Sequence, residues 1–333
     1  MKIATSLLIL SAFLITGCPG EKSSNTGNAV KIIFDTDLGP DYDDVGALAI
    51  LHAMADSGKT EILATMASNK DERVAPCIEI INTYFGRPEI PIGGPKSPGV
   101  NLTAWQHWPD SLVKNYNHKI RSTDDAPDAV RLYRKILAAQ PDSCVTIVTV
   151  GFMTNLANLL KSPPDSISPL NGHELVSLKV KSYIAMAGWF PEGKEFNVER
   201  DSVASEYVFN DWPGKIIFTG FEIGSKLFTG LRLAASKTEN SPVKDVFRIS
   251  LPLSEEDRNG RMSWDETAVI IAVYGPEKFF SLKPGNIIVA PDGSNSWQDD
   301  QNGRHAYVDW KMDKKELEKF MEERMMHVPV KKK

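Results

Sequence analysis

From Val30 onward, short apolar runs alternate with stretches of helical periodicity. Residues 30–34 (Val-Lys-Ile-Ile-Phe) read as a strand, and residues 43–54 repeat apolar positions at helical spacing. The same alternation continues with a strand at 62–67, a helix at about 71–85, a helix at 126–139, a strand at 145–150 and a helix at 154–160. Strands are expected near 176–186 and 215–219, with helices near 202–210 and 264–274. Strands at 286–290 and 306–310 and a helix over 314–325 close the pattern. A Pro/Gly-rich stretch at 88–98 and a polar, aromatic-containing loop to about residue 125 interrupt it, with no internal repeat and no second domain boundary. Strands alternating with helices predict an α/β fold, a doubly wound and mostly parallel central sheet with helices on both faces. Ligands of such sheets bind beyond the carboxyl ends of the strands.

The first 29 residues follow another pattern. Lys2 precedes an apolar stretch, Ile3 to Ile15, too short to span a bilayer and suited to a signal-peptide core. It ends in Leu14-Ile15-Thr16-Gly17-Cys18, which resembles the lipobox of bacterial lipoproteins. That resemblance implies a leader over 1–17, lipid on Cys18, a Gly/Ser/Asn-rich tether over 18–29 and a domain over 30–333, held at the cell envelope. Pro19 rather than Asp follows the cysteine, so retention at an inner membrane is not signalled. Cys77 and Cys144 read as free thiols, since nothing at this length requires a disulfide. The chain's 333 residues carry a formal charge of −5. Removing residues 1–17, which hold Lys2 and no acid, makes the chain more negative still. That balance, with no basic stripe interleaved with aromatics, argues against a nucleic-acid polymer as partner. The residues leave assembly into a homo-oligomer open.

Candidate chemistry concentrates after the first strand, in Asp35-Thr36-Asp37-Leu38-Gly39-Pro40-Asp41-Tyr42-Asp43-Asp44. Five aspartates in ten residues repel one another unless a hard cation is bound, and Ca²⁺ takes six to eight oxygen ligands. Gly39 and Pro40 permit a sharp loop that lets Asp37 and Asp44 converge. Acids at a helix N-terminus account for Asp41 and Asp43, but not for Asp35 and Asp37 at the strand end.

Lys31-Ile-Ile-Phe-Asp-Thr-Asp-Leu-Gly39, followed by Asp43-Asp-Val-Gly-Ala-Leu-Ala49, resembles the opening motif of the inosine–uridine-preferring nucleoside hydrolases. Gly151-Phe-Met-Thr-Asn155, Glu195-Phe-Asn197 and Ser263-Trp-Asp265 match later motifs of that family, in family order over residues 31–310. The resemblance implies calcium-dependent hydrolysis of the N-glycosidic bond of small-molecule nucleosides. By the same resemblance, Asp37, Asp44, Asp265 and the Thr154 carbonyl hold the metal, and Asp37 takes a proton from the attacking water. Glu195, Asn197, Asn69 and one of Asp41 or Asp43 would bind the ribose hydroxyls.

The chain departs from the family pattern in three ways. Gly39 and Asp43 are separated by two more residues than usual, so Asp41 and Asp43 compete for one role. Trp264 stands where the family often has a histidine; it can stack on a base but cannot act as an acid. Nor is the family's asparagine present before Glu195. His107, in the aromatic loop, is an alternative acid, although a loop histidine without chemistry is the simpler reading. His52 on the first helix reads as an ordinary buried or surface residue, and Trp189, Phe190 and Trp297 as either base pocket or core. Two other functions compete with the hydrolase. One is a non-catalytic, calcium-dependent riboside- or sugar-binding surface lipoprotein. The other is a Mg²⁺-dependent phosphotransferase of haloacid-dehalogenase type, suggested by Asp35-Thr36-Asp37. Gly39 stands where that second family needs Thr or Val.

Overall fold

The computed structural model describes residues 29–329, so the leader, the tether with Cys18 and the terminal lysines lie outside the described residues. Twelve strands are found within that range. They are β1 (Val30–Thr36), β2 (Thr60–Ala67), β3 (Ile92–Gly93), β4 (Val145–Thr149), β5 (Val180–Met186) and β6 (Glu192–Lys194). Then follow β7 (Ile216–Thr219), β8 (Phe228–Thr229), β9 (Arg261–Met262), β10 (Phe280–Val289), β11 (Ser294–Asp299) and β12 (His305–Trp310). Ten of them form one sheet, in the order β3-β2-β1-β4-β5-β7-β12-β10-β11-β6, while β8 and β9 pair separately. From β3 to β12 every pairing is parallel; β10, β11 and β6 add an antiparallel edge.

Alternation along β1 shows why both faces are covered. Ile32 and Phe34 point into one apolar core, and Ile33 between them points into the other. The first core is filled by helices such as Asp43–Asp56, Val74–Tyr84, Asp265–Tyr274 and Lys314–Met325. The second is filled by Ala129–Ala138, Thr154–Lys161 and Ser202–Asp211, among others. Helix Asp43–Asp56 is buried nearly all round because it lies between the sheet and its neighbouring helices, so its apolar residues form no single stripe.

The chain leaves β1 toward β2 and β3, and leaves β4 in the opposite direction toward β5 and β7. β1 and β4 are neighbours, so a crevice opens at their carboxyl ends, where this topology places ligands. The acidic run begins there.

Several elements differ from expectation. Residues 172–179 form a helix rather than the start of a strand, because Asn171 and Glu174 make a reciprocal capping box and β5 begins only at Val180. Helices Trp108–Asn115 and Pro242–Ser250 are not among the expected elements; each has proline in its first turn, and the second buries Val243, Val246 and Phe247 at helical spacing. The polar strand β11 is set by pairing with β10 rather than by its own apolar content. Cys77 and Cys144 are both free thiols.

Candidate active site

Six chain segments meet at the crevice and enclose a cavity of about 330 Å³, two of them contributing Trp105 with Gln106 and Phe221. The loop after β1 brings Asp37, Pro40, Asp41, Asp43 and Asp44; Val150 follows β4, and Met186, Glu195, Phe196 and Asn197 follow along β5 and beyond. The last segment, around β9 and the next helix, supplies Ser254, Glu256, Asp257, Arg261, Trp264 and Asp265.

Close approach of the first two loops depends on Gly151. A Cβ there would lie 2.7 Å from both the Cβ and the backbone nitrogen of Asp37, and 2.6 Å from the Ser68 hydroxyl. The acidic loop itself turns through Leu38, which holds a left-handed φ of 25°, a strained conformation for a branched residue. A strap from the segment after β3 holds that turn down. Gln106 donates to the Pro40 carbonyl at 2.6 Å and the Trp108 indole to the Gly39 carbonyl at 3.1 Å. Asn69 secures the strap by bonding both the carbonyl and the N–H of Leu102 (2.8 and 2.9 Å).

The aspartates of the run divide into distinct environments. Asp35 does not line the cavity; it is buried beneath it, accepting from the Tyr133 hydroxyl at 2.8 Å and the Asn155 amide at 3.2 Å. Burial pushes its carboxyl up to about 7. Asp37 is buried at the cavity wall, and burial followed by the charges of Asp44, Asp41 and Asp43 pushes it well above the carboxylate range. Asp44 accepts from the Thr36 hydroxyl and, at 3.3 Å, from the Leu38 N–H, while its Oδ2 is buried with no hydrogen-bond partner among the described residues. Asp265 is raised likewise, by burial and then by Asp43 and Asp44.

Asp43 is occupied on both oxygens. Oδ2 accepts from the backbone N–H groups of Trp264 and Asp265 (3.0 and 3.2 Å), capping that helix from outside, and Oδ1 faces Arg261. The Arg261 guanidinium also binds Asp41, lies 3.6 Å from Asp257, and is stacked between the rings of Tyr42 and Trp264 at 4.9 and 5.1 Å. Asp257 in turn accepts from the Tyr42 hydroxyl at 2.7 Å. Arg261 was not foreseen. Its only signal is a lone cation four residues before Asp265, and nothing in the local spacing says that it folds onto Asp41 and Asp43.

Glu195 caps the short helix Phe196–Arg200, accepting from the N–H groups of Asn197, Val198 and Gly188 at 2.8–3.1 Å. Burial pushes its carboxyl up to about 7. Asn197 directs its amide nitrogen to the Val150 carbonyl at 3.3 Å. Trp264 lines the cavity with its indole N–H bound to the Phe221 carbonyl at 2.9 Å, and Phe221 stacks at a tilt on both Trp264 and Trp189.

Of the expected residues, Asp37, Asp41, Asp43, Asp44, Glu195, Asn197, Trp264 and Asp265 are brought to one cavity. Two are not. Thr154 lies outside the lining, its N–H and hydroxyl both donating to Asp201 at 2.8 Å. Asn69 also lies outside the lining; its amide bonds Leu102 of the strap, and its Oδ1 accepts from the Asp71 N–H as well. His107 is exposed and turned to Asp110, and His52 is a core residue stacked on Phe85. Trp189 lies beside the cavity aromatics, whereas Phe190 and Trp297 pack in the second core. Among the described residues no three acid, His or Cys side chains converge as a ready-made metal cage. Three members of the expected ligand set, Asp37, Asp44 and Asp265, border one space, and the carbonyl of Thr154, the fourth, takes no part in the contacts with Asp201. The chemistry of these carboxylates fits a cation: the Asp44 Oδ2 is buried without a partner among the described residues, and beyond burial the charge of Asp44 raises Asp37, and those of Asp44 and Asp37 raise Asp265.

The profile of the inosine-uridine preferring nucleoside hydrolase family matches residues 32–325. A pyrimidine-specific ribonucleoside hydrolase, RihA, of Klebsiella pneumoniae is 27% identical over 199 residues, covering 54% of this chain and 57% of that protein. An inosine-uridine preferring nucleoside hydrolase of Leishmania major is 24% identical over 191 residues, again covering 54% and 57%. The chain thus spans somewhat over half the length of these relatives. The structure of a purine-preferring ribonucleoside hydrolase from Gardnerella vaginalis superposes with a TM-score of 0.69 at 16% identity, over 89% of this chain and 98% of that one, a likeness of fold.

Proposed function

The chain belongs to the inosine-uridine preferring nucleoside hydrolase family, and on that premise we propose that it hydrolyses the N-glycosidic bond of ribonucleosides or related N-ribosides, with Ca²⁺ as cofactor. The observation that carries this reading is the convergence of Asp37, Asp44, Asp265, Glu195 and Asn197, from three separate segments, on one cavity at the topological switch point.

Asp37, Asp44 and Asp265 are the residues that would hold the metal. A calcium ion bound there would offset their repulsion and would supply a more acidic, oriented water. The rest falls to the chain. Asp37, whose carboxyl meets no other side chain in a hydrogen bond among the described residues, takes the proton as the water oxygen attacks the anomeric carbon. Asn197 and Glu195, fixed by the backbone around β4 and β5, hold the ribose hydroxyls. Of the two competing aspartates, Asp41 takes the substrate-facing role: its side chain is 42% exposed and meets Arg261, whereas both oxygens of Asp43 are occupied. Carboxylates around an oxocarbenium-like transition state favour it over the neutral sugar. The Leu14–Cys18 lipobox adds the proposal that this chemistry is lipid-anchored at the cell envelope through Cys18.

Release of reducing sugar from a nucleoside panel, with calcium supplied, tests the reading. Asp37→Asn is expected to lower kcat by roughly 10²–10⁴-fold. Calcium-dependent binding of nucleosides without any release of sugar would instead mark the chain as a binder, and unchanged turnover in the variant would remove Asp37 from the mechanism.

A further inference from the structure

We infer that the favoured substrate is an N-riboside whose base already carries a positive charge before the bond breaks, an N-ribosylpyridinium or a ring-alkylated purine. The inference rests on the hydrolase reading above and names its substrate class.

A neutral nucleobase leaves poorly as an anion, and hydrolysis normally needs an acid near neutral pH to protonate it. No His, Lys, Tyr or Cys lines this cavity among the described residues. Trp264 cannot serve, since its indole N–H is bound to the Phe221 carbonyl at 2.9 Å. His107, close in sequence on the strap, has a side chain 75% exposed and paired with Asp110 at 3.2 Å. Arg261 keeps its proton and is engaged with Asp41, Asp43 and Asp257. The carboxyls accept rather than donate: Asp43 takes two backbone N–H bonds, Asp257 the Tyr42 hydroxyl, and Glu195, the lining carboxyl raised to about 7, takes three backbone N–H bonds across its two oxygens.

What the mouth of the cavity does offer suits a planar cation. Trp105, Phe221 and Trp264 line it with aromatic rings; of the acids there, Asp41 and Asp257 pair with Arg261, and Glu256 adds a carboxylate beyond that pairing, so the acids outnumber the one cation. Arg261, a planar cation held over Tyr42 and Trp264 inside an acidic ring, already displays that mode of recognition. Gln106 adds a lining residue that is nearly fully buried and whose Oε1 has no hydrogen-bond partner among the described residues, an acceptor suited to an amino or carboxamide N–H on the ring.

The step balances without an acid. Water oxygen bonds to the anomeric carbon as the C–N bond breaks, and the bonding pair returns to the ring nitrogen, discharging its positive charge. The base leaves neutral, and the water proton passes by way of Asp37 to solvent. The products are ribose, neutral base and one proton.

Hydrolysis of nicotinamide riboside, inosine and uridine by the purified chain in calcium-containing buffer decides the matter. The cationic riboside is expected to show kcat/KM at least about tenfold above either neutral nucleoside. As a check on charge, 1-methylnicotinamide should inhibit more strongly than nicotinamide. Glu256→Gln should lower the ratio of cationic to neutral turnover at least about threefold. Neutral nucleosides cleaved as fast as the cation, or equal inhibition by the two nicotinamides, would overturn this inference and leave the hydrolase reading standing. Cleavage of no riboside at all would overturn both.

Discussion

The inner wall of the cavity and its mouth are made of different material. Asp37, Asp44, Glu195, Asn197 and Asp265 stand at strand ends and first helical turns, are buried, and are held by backbone N–H groups or by the elements beneath them. Trp105, Ser254 and Glu256 stand on connecting segments and face solvent to varying degrees, with Trp105 at 55% exposure. Chemistry on a sugar common to all ribosides needs fixed geometry, which sheets and helix termini supply. Choice of leaving group needs a surface that varies without disturbing that geometry, which loops supply. Arg261 joins the two. It fastens Asp41 and Asp43 of the inner loop to Asp257 of the mouth while its plane rests on Trp264.

The largest expected effect comes from breaking that joint. Arg261→Met leaves Asp43 and Asp257, 1% and 3% exposed, buried without their cation. Removing one partner of a buried charge network typically costs about 3–5 kcal/mol. Urea denaturation of the purified chain should show a loss of that order, with the mouth no longer held in register with the wall. A loss below about 1 kcal/mol would mean that the wall and mouth are stabilised independently and that the joint is only a contact.

That division also explains what could be read before the fold was seen. The wall was legible because its residues sit at fixed offsets from strand ends: an apolar run, then Asp37; another, then Gly151; a third, then Glu195 and Asn197. Backbone geometry carries such side chains to the sheet's carboxyl edge wherever the strands lie. Residues whose part depends on tertiary neighbours were not legible. Asn69 has the right type and position for a sugar contact, yet its amide is taken by Leu102, far along the chain. Thr154 follows its strand as expected; that Asp201 accepts from its hydroxyl is marked by no local pattern, and its carbonyl, the atom expected at the metal, takes no part in that contact. Arg261 finds Asp41 and Asp43 some 220 residues earlier, a pairing that no local pattern encodes. In the same way, the register of the antiparallel edge depends on which strand lies alongside: β11 is polar, and β10 pairs with β12 as well as β11.

A smaller effect tests the wall by itself. Gly151→Ala adds a methyl 2.7 Å from the Asp37 backbone and Cβ, closer than a real Cβ approaches a backbone atom. The loops after β1 and β4 must separate, at about 1–3 kcal/mol for an overpacked site. Because Asp37 itself is displaced, kcat should fall by more than KM changes. Thermal unfolding together with steady-state kinetics checks this, and a variant of normal stability and normal kcat would mean that the Asp37 loop yields easily, against the fixed-wall account.

The smallest effect on folding is expected at the mouth. Trp105→Ala removes a ring that is 55% exposed, at the tip of a strap anchored instead by Gln106, Trp108 and Asn69. Stability should therefore stay within about 0.5 kcal/mol of the parent chain. If the ring stacks on the leaving base, one aromatic contact is removed, and KM should rise roughly three- to tenfold while kcat with a given substrate stays nearly constant. This pattern is the reverse of that predicted for Gly151→Ala. A change in kcat with constant KM would place Trp105 with the wall, because the strap would then be setting the Pro40 turn rather than meeting the base.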